Sequence, residues 1–83
     1  MQPTATTPDA SAYNINLADE RTRDTNLESE RAARLRDIAA RYPTDPRATD
    51  WIEEAARAEI IAARRAEDAE MYRARAARCH AAR

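Results

Sequence analysis

From Pro46 to the C-terminal Arg83 no proline or glycine interrupts the chain, and within that stretch alanine returns every seven residues, at Ala48, Ala55, Ala62, Ala69 and Ala76. An uninterrupted run of strong helix formers predicts one long helix. A seven-residue repeat is the mark of helices that lie along one another, because it keeps one seam facing the partner. Alanine at each repeat lets the two backbones approach closely. The positions between the alanines hold Trp51, Ala58, Arg65, Tyr72 and Cys79. Asp45 before Pro46 supplies a start, with a side-chain acceptor at the N-cap and proline in the first turn. The expected helix covers about residues 46–82 and is about 55 Å long.

The preceding half is less regular. Residues 1–12 hold two of the four prolines and no large apolar side chain after Met1. Such a segment cannot offset its ordering entropy and reads as a flexible N-terminal arm. Tyr13, Ile15 and Leu17 then alternate with small or polar residues, the period of an extended segment, although Tyr13 and Leu17 also have helical spacing. Thr25-Asn26-Leu27-Glu28 fits a capping box, which places a first helix at about residues 25–41. A start as early as Asn16 is compatible with the sequence. Leu27, Leu35, Ile38 and Tyr42 fall within about 80° on a helical wheel. Pro43 ends the helix, and Tyr42-Pro43-Thr44-Asp45-Pro46 forms the break. The expected fold class is all-α: a helical hairpin domain over residues 13–83, with a short first helix and a long Ala-rich second one.

Composition sets how such a hairpin can pack. Of 83 residues 21 are Ala, while Leu, Ile, Val and Phe together number eight. A thick core is excluded, and helices packed at short range remain. The expected core comprises Leu27, Leu35, Ile38, Tyr42, Trp51, Ala55 and Ala58. All fourteen basic residues are Arg, and the formal net charge is −1. A lone Cys79 allows no intrachain disulfide. No apolar run has membrane-spanning length, and the N-terminus lacks the basic start and apolar stretch of a signal peptide. A cytoplasmic location and no membrane partner are the resulting expectations.

Catalysis requires groups that converge away from water. Cys79 and His80 are adjacent, and neighbouring residues on a helix point about 100° apart. They are not a nucleophile–base pair, and they lack the spaced ligands of a zinc site. With no glycine, phosphate-cradling loops are absent. The acidic residues nearly all stand three or four positions from an Arg, as on solvated helix faces. The expectation is a protein that is not an enzyme, with no cofactor and no metal.

A hairpin hinged at Pro43 with a first helix of residues 25–41 covers only about 25 Å of the second. Residues 63–83 are then expected to project with their seam uncovered, unless residues 13–24 fold back on them. On that reading the partner-binding residues are Ala62, Arg65, Ala69, Tyr72, Arg73, Ala76 and Cys79, with Tyr72 as anchor. The partner is another protein or a second copy, in a coiled-coil-like oligomer. The function expected is a protein–protein interaction module acting as an adaptor, assembly or regulatory subunit. The alternative is a small nucleic-acid-binding protein, because residues 71–83 carry four Arg and no acid.

Overall fold

A computed structural model describes residues 10–81, with side chains described through Cys79. It contains two helices, α1 (Ala10–Arg41) and α2 (Ala48–Ala81), packed side by side as an antiparallel hairpin. The expected short first helix is a correction: α1 has 32 residues against 34 in α2. Residues 13–18 are helical, not extended. Nothing between Ala10 and Arg41 opposes a helix, and three alternating apolar residues are too weak a signal to outweigh that propensity. The expected arm over residues 1–12 is corrected at its end, since Ala10, Ser11 and Ala12 belong to α1; its first nine residues lie outside the described range.

The capping box at Thr25 is not used. The Thr25 hydroxyl donates back to the Arg21 carbonyl at 2.8 Å, one turn earlier, and also lies 3.4 Å from the Ala62 carbonyl on α2. A mid-helix threonine satisfies its hydroxyl in this way without ending the helix. The break falls at Tyr42–Pro46 as expected, but it extends through Arg47, and α2 begins at Ala48 rather than at about residue 46. The Asp45 N–H donates to the Tyr42 carbonyl at 3.1 Å, and the Asp45 carbonyl accepts from Ala48 at 2.9 Å. The Asp45 carboxylate accepts the Arg47 N–H at 2.8 Å and both of its guanidinium contacts at 2.9 and 3.1 Å. These bonds from Arg47, side chain and backbone, hold the Asp45 carboxyl at about 2.

What holds the hairpin together is a seam of small residues. Among the described residues the buried apolar positions are all alanine: Ala18, Ala32 and Ala39 on α1, and Ala48, Ala55, Ala58, Ala62, Ala69 and Ala76 on α2. On α2 these include every member of the seven-residue repeat. On α1 the same repeat runs through Ser11, Ala18, Thr25, Ala32 and Ala39, so small residues meet small residues along the whole length. Ser11 lies 3.3 Å from the Ala76 carbonyl and Thr25 3.4 Å from that of Ala62, which fixes the register. In the half nearer the turn, Ala32 packs with Ala55 and Ala58, and Leu35 closes over them. A buried methyl contributes only about 0.8 kcal/mol, so the stability of this seam comes from many short contacts rather than from a few large side chains.

The expected core is therefore only partly the observed one. Ala55 and Ala58 are buried, while Leu35 and Trp51 are half-buried. Leu27 (62% exposed) and Tyr42 (56%) stand largely in solvent, and Ile38 is 37% exposed. Hydropathy puts these bulky side chains on the inner face, whereas close helix approach is possible only along the line of small ones, which displaces the bulky residues to the flanks.

Candidate interaction face

The seam divides the surface of the hairpin into two broad faces. Cross-helix contacts show which residues share each. One face carries Arg31–Glu54 at 3.5 Å, Arg21–Asp68 at 3.7 Å and the Arg21 guanidinium 6.0 Å from the Tyr72 ring centroid. The opposite face carries Arg36–Glu59, joined by two hydrogen bonds of 2.6 and 2.8 Å, and Arg73 donating to Thr22 at 2.6 Å. The paired hydrogen bonds raise the Arg36 pKa and lower that of Glu59. Both groups are exposed, and solvent screening leaves such pairs little weight in stability.

The first face holds most of the large apolar side chains. By helical position Leu17, Leu35, Ile38, Trp51, Ile61 and Tyr72 project from it, and Leu27 and Met71 flank it. Near its middle Asp24, Leu27, Glu28, Ile61 and Arg65 line an open cavity of about 270 Å³. Towards the turn Leu35, Ile38 and Trp51 share this side by helical position, with the Arg47 guanidinium 5.1 Å over the Trp51 ring. Towards the open end lie Leu17 and Tyr72. Charged residues separate the two groups, among them Arg21, Glu28 and Arg65.

The residues expected to bind a partner divide differently from that expectation. Ala62, Ala69 and Ala76 are buried against α1. Their neighbour is the first half of α1 in the same chain, so the seam is not open and residues 63–81 do not project beyond a shorter helix. Arg73 is held by Thr22 and by Glu70 at 3.3 Å, on the face opposite Tyr72. Arg65 lines the cavity, 4.0 Å from Asp68. Tyr72 is half-buried between Arg21 and Arg75, whose guanidinium lies 5.7 Å from the ring, and Cys79 is half-buried. Of that set Arg65, Tyr72 and Cys79 share the first face. Ile61 belongs to this face because it flanks the seam on the same side as Tyr72 and Cys79, and Leu17 joins it because α1 is helical through residue 17.

Among the described residues no group of three or more His, Cys, Asp or Glu is placed to hold a metal ion, and no helix is long and apolar enough to cross a membrane. The fold and this face define an all-α helical hairpin with an alanine seam. Comparison with known protein families, with curated proteins and with solved structures finds no match for this chain.

Proposed function

We propose that this protein is a non-enzymatic helical interaction module, a small adaptor, assembly or regulatory subunit that works by presenting a helix face to another protein. The observation that carries the reading is the division of its side chains. Among the described residues every buried apolar residue is an alanine, while Leu27, Ile38 and Ile61 on one side of the hairpin or at its edge, and Ile15, Ile52 and Ile60 on the other, remain 37–62% exposed. A folded chain gains little from leaving such side chains in water, and a row of them along a rigid two-helix layer is the usual layout of a contact surface. The alanine seam is spent on the intramolecular contact, so the proposed surface lies at right angles to it. The absence of any intrachain disulfide, with one Cys in the chain, supports a cytoplasmic setting.

The alternative, a grip on nucleic acid by the Arg-rich end of α2, has less support. Arg73 is engaged by Thr22 and Glu70, and Arg75 lies over Tyr72, which leaves fewer guanidinium groups free to converge on a phosphate backbone. The test compares the wild type with a Leu27→Glu, Ile61→Glu variant in affinity capture from the native host. Circular dichroism checks that both remain helical. A protein retained by the wild type and lost from the variant is the expected result. Equal retention by both, or retention of nucleic acid that salt removes from both alike, overturns the reading.

A further inference from the structure

The face contains two polar atoms that the hairpin buries without satisfying. Among the described residues, Nε of Arg21 and Oε2 of Glu28 are the buried side-chain nitrogen and oxygen atoms with no hydrogen-bond partner. Their nearest opposite charges are too distant for a hydrogen bond: Asp68 lies 3.7 Å from Arg21 Nε, and Arg31 lies 4.0 Å from Glu28 Oε2. The two side chains as a whole remain 28% and 26% exposed, so each charged group still presents part of itself at the surface of the face. Arg21 and Glu28 are of opposite charge and one seven-residue repeat apart, so they point from the same row of α1. Their separation along the helix, about 10 Å at 1.5 Å per residue, is too great for them to meet within one chain. They also straddle the middle of the hairpin, where Thr25 meets Ala62.

We propose that the covering partner of this face is a second copy of the same chain, giving an antiparallel four-helix dimer registered by reciprocal Arg21–Glu28 pairs. The inference rests on the reading of this face as an interaction surface and names its partner. A two-fold axis lying in the plane of the face and crossing α1 midway between Arg21 and Glu28 places α1 over α1 of the copy. Arg21 of each chain then stands opposite Glu28 of the other. Such a contact is isologous, the commonest form of self-association, and uses the same patch twice. The same axis brings Trp51 within about a turn of Tyr72 on the facing α2, so the apolar cluster near the turn meets the one at the open end. Size also fits. A helix of 32 residues is about 48 Å long, and two helices side by side are about 19 Å wide, a face of about 900 Å². A standard stable interface takes about 800 Å² from each partner. Burial of the apolar clusters supplies the association, and the two charge pairs select the register, the role best attested for buried ion pairs.

The test is a charge swap on the full chain, followed by sedimentation over a wide concentration range. The wild type is expected to dimerise. Arg21→Glu puts like carboxylates together at both contacts, and Glu28→Arg puts like guanidinium groups there. Each variant alone should weaken dimerisation by about tenfold or more while keeping its helical circular dichroism. An equimolar mixture of the two variants has opposite charges at both contacts and should form mixed dimers, detected by labelling one variant, with an affinity near that of the wild type. That recovery also excludes misfolding as the cause of either loss. A monomeric wild type at all concentrations overturns the proposal, and so does a dimer indifferent to both substitutions or one that mixing fails to restore. A monomer that still captures a host protein through Leu27 and Ile61 overturns the second copy alone and leaves the interaction-module reading standing. Failure of that capture in turn removes the broader reading.

Discussion

Thr25 on α1 and Ala62 on α2 face one another near the centre of the hairpin, with the threonine hydroxyl 3.4 Å from the alanine carbonyl. A hydroxyl one bond beyond Cβ reaches the main chain of a neighbouring helix only where the two helices lie close. The same relationship recurs at Ser11 and Ala76, at 3.3 Å. Between and beyond these two points the facing residues are alanines. Close approach thus runs from the turn to the open end, and it makes the seam intolerant of bulk.

Ala62→Leu should therefore be among the most damaging single changes. Ala62 is 6% exposed, and a side chain larger by three carbons has no space between the helices. Overpacking of this kind costs about 1–3 kcal/mol, a large share of the stability of so small a domain. Chemical denaturation followed by circular dichroism measures it, and a midpoint equal to that of the wild type would show the seam to be loose.

Introduction of charge into the far half of the seam has a more local consequence. Ala69→Glu with Ala76→Glu should detach residues 10–25 of α1 from α2, because Ala69 and Ala76 are buried against that segment. Hydrogen exchange should then accelerate at residues 10–25 and 63–81 and remain slow near Ala32, Ala55 and Ala58. Uniform acceleration throughout would mean that the hairpin opens as one unit instead.

Trp51 is half-buried, with the Arg47 guanidinium 5.1 Å over its ring. Its emission should lie between those of free and fully buried tryptophan, and Arg47→Ala should move it towards the free value. Full burial of a large side chain is worth about 1.5–3 kcal/mol, so Trp51→Ala should cost only about 1 kcal/mol in the isolated chain. A much larger loss would place the indole deeper in the fold, or in a dimer contact that dilution removes.

The turn carries a pH signature. Bonds from Arg47 depress the Asp45 carboxyl from 3.8 to about 2. A group with a depressed native pKa stabilises the fold above its unfolded value, and this contribution disappears as pH falls through the native one. Stability should thus decline between about pH 4 and pH 2 from this residue. Asp45→Asn should lower the melting temperature at neutral pH and flatten the decline. Unchanged acid titration of the melting temperature in that variant would assign the decline to other carboxylates.

By contrast, Glu59→Gln should leave the melting temperature nearly unchanged, despite the two hydrogen bonds of 2.6 and 2.8 Å from Arg36. Both side chains are about half exposed, so water replaces what the pair supplies. A fall comparable to that of Ala62→Leu would give this exposed pair a weight that its setting does not support.

The sequence by itself determined the all-helical class of this protein, the place of its break and half of its packing. Helix propensity without a single glycine made residues 10–41 and 48–81 helical, Asp45 and Pro46 placed the turn, and the repeat of Ala48, Ala55, Ala62, Ala69 and Ala76 marked the buried line of α2. The matching line on α1 was equally present in the letters, as Ser11, Ala18, Thr25, Ala32 and Ala39, yet hydropathy gives it no prominence beside Leu27, Ile38 and Tyr42. Only the tertiary structure decided between these two lines. A side chain's hydrophobicity measures what burial gains, whereas the distance between two helices is limited by the bulk along the line where they meet. Here the second quantity prevailed: α1 turned its small residues to α2, extended to the full length of the seam, and left its large apolar residues on the flanks and the open faces.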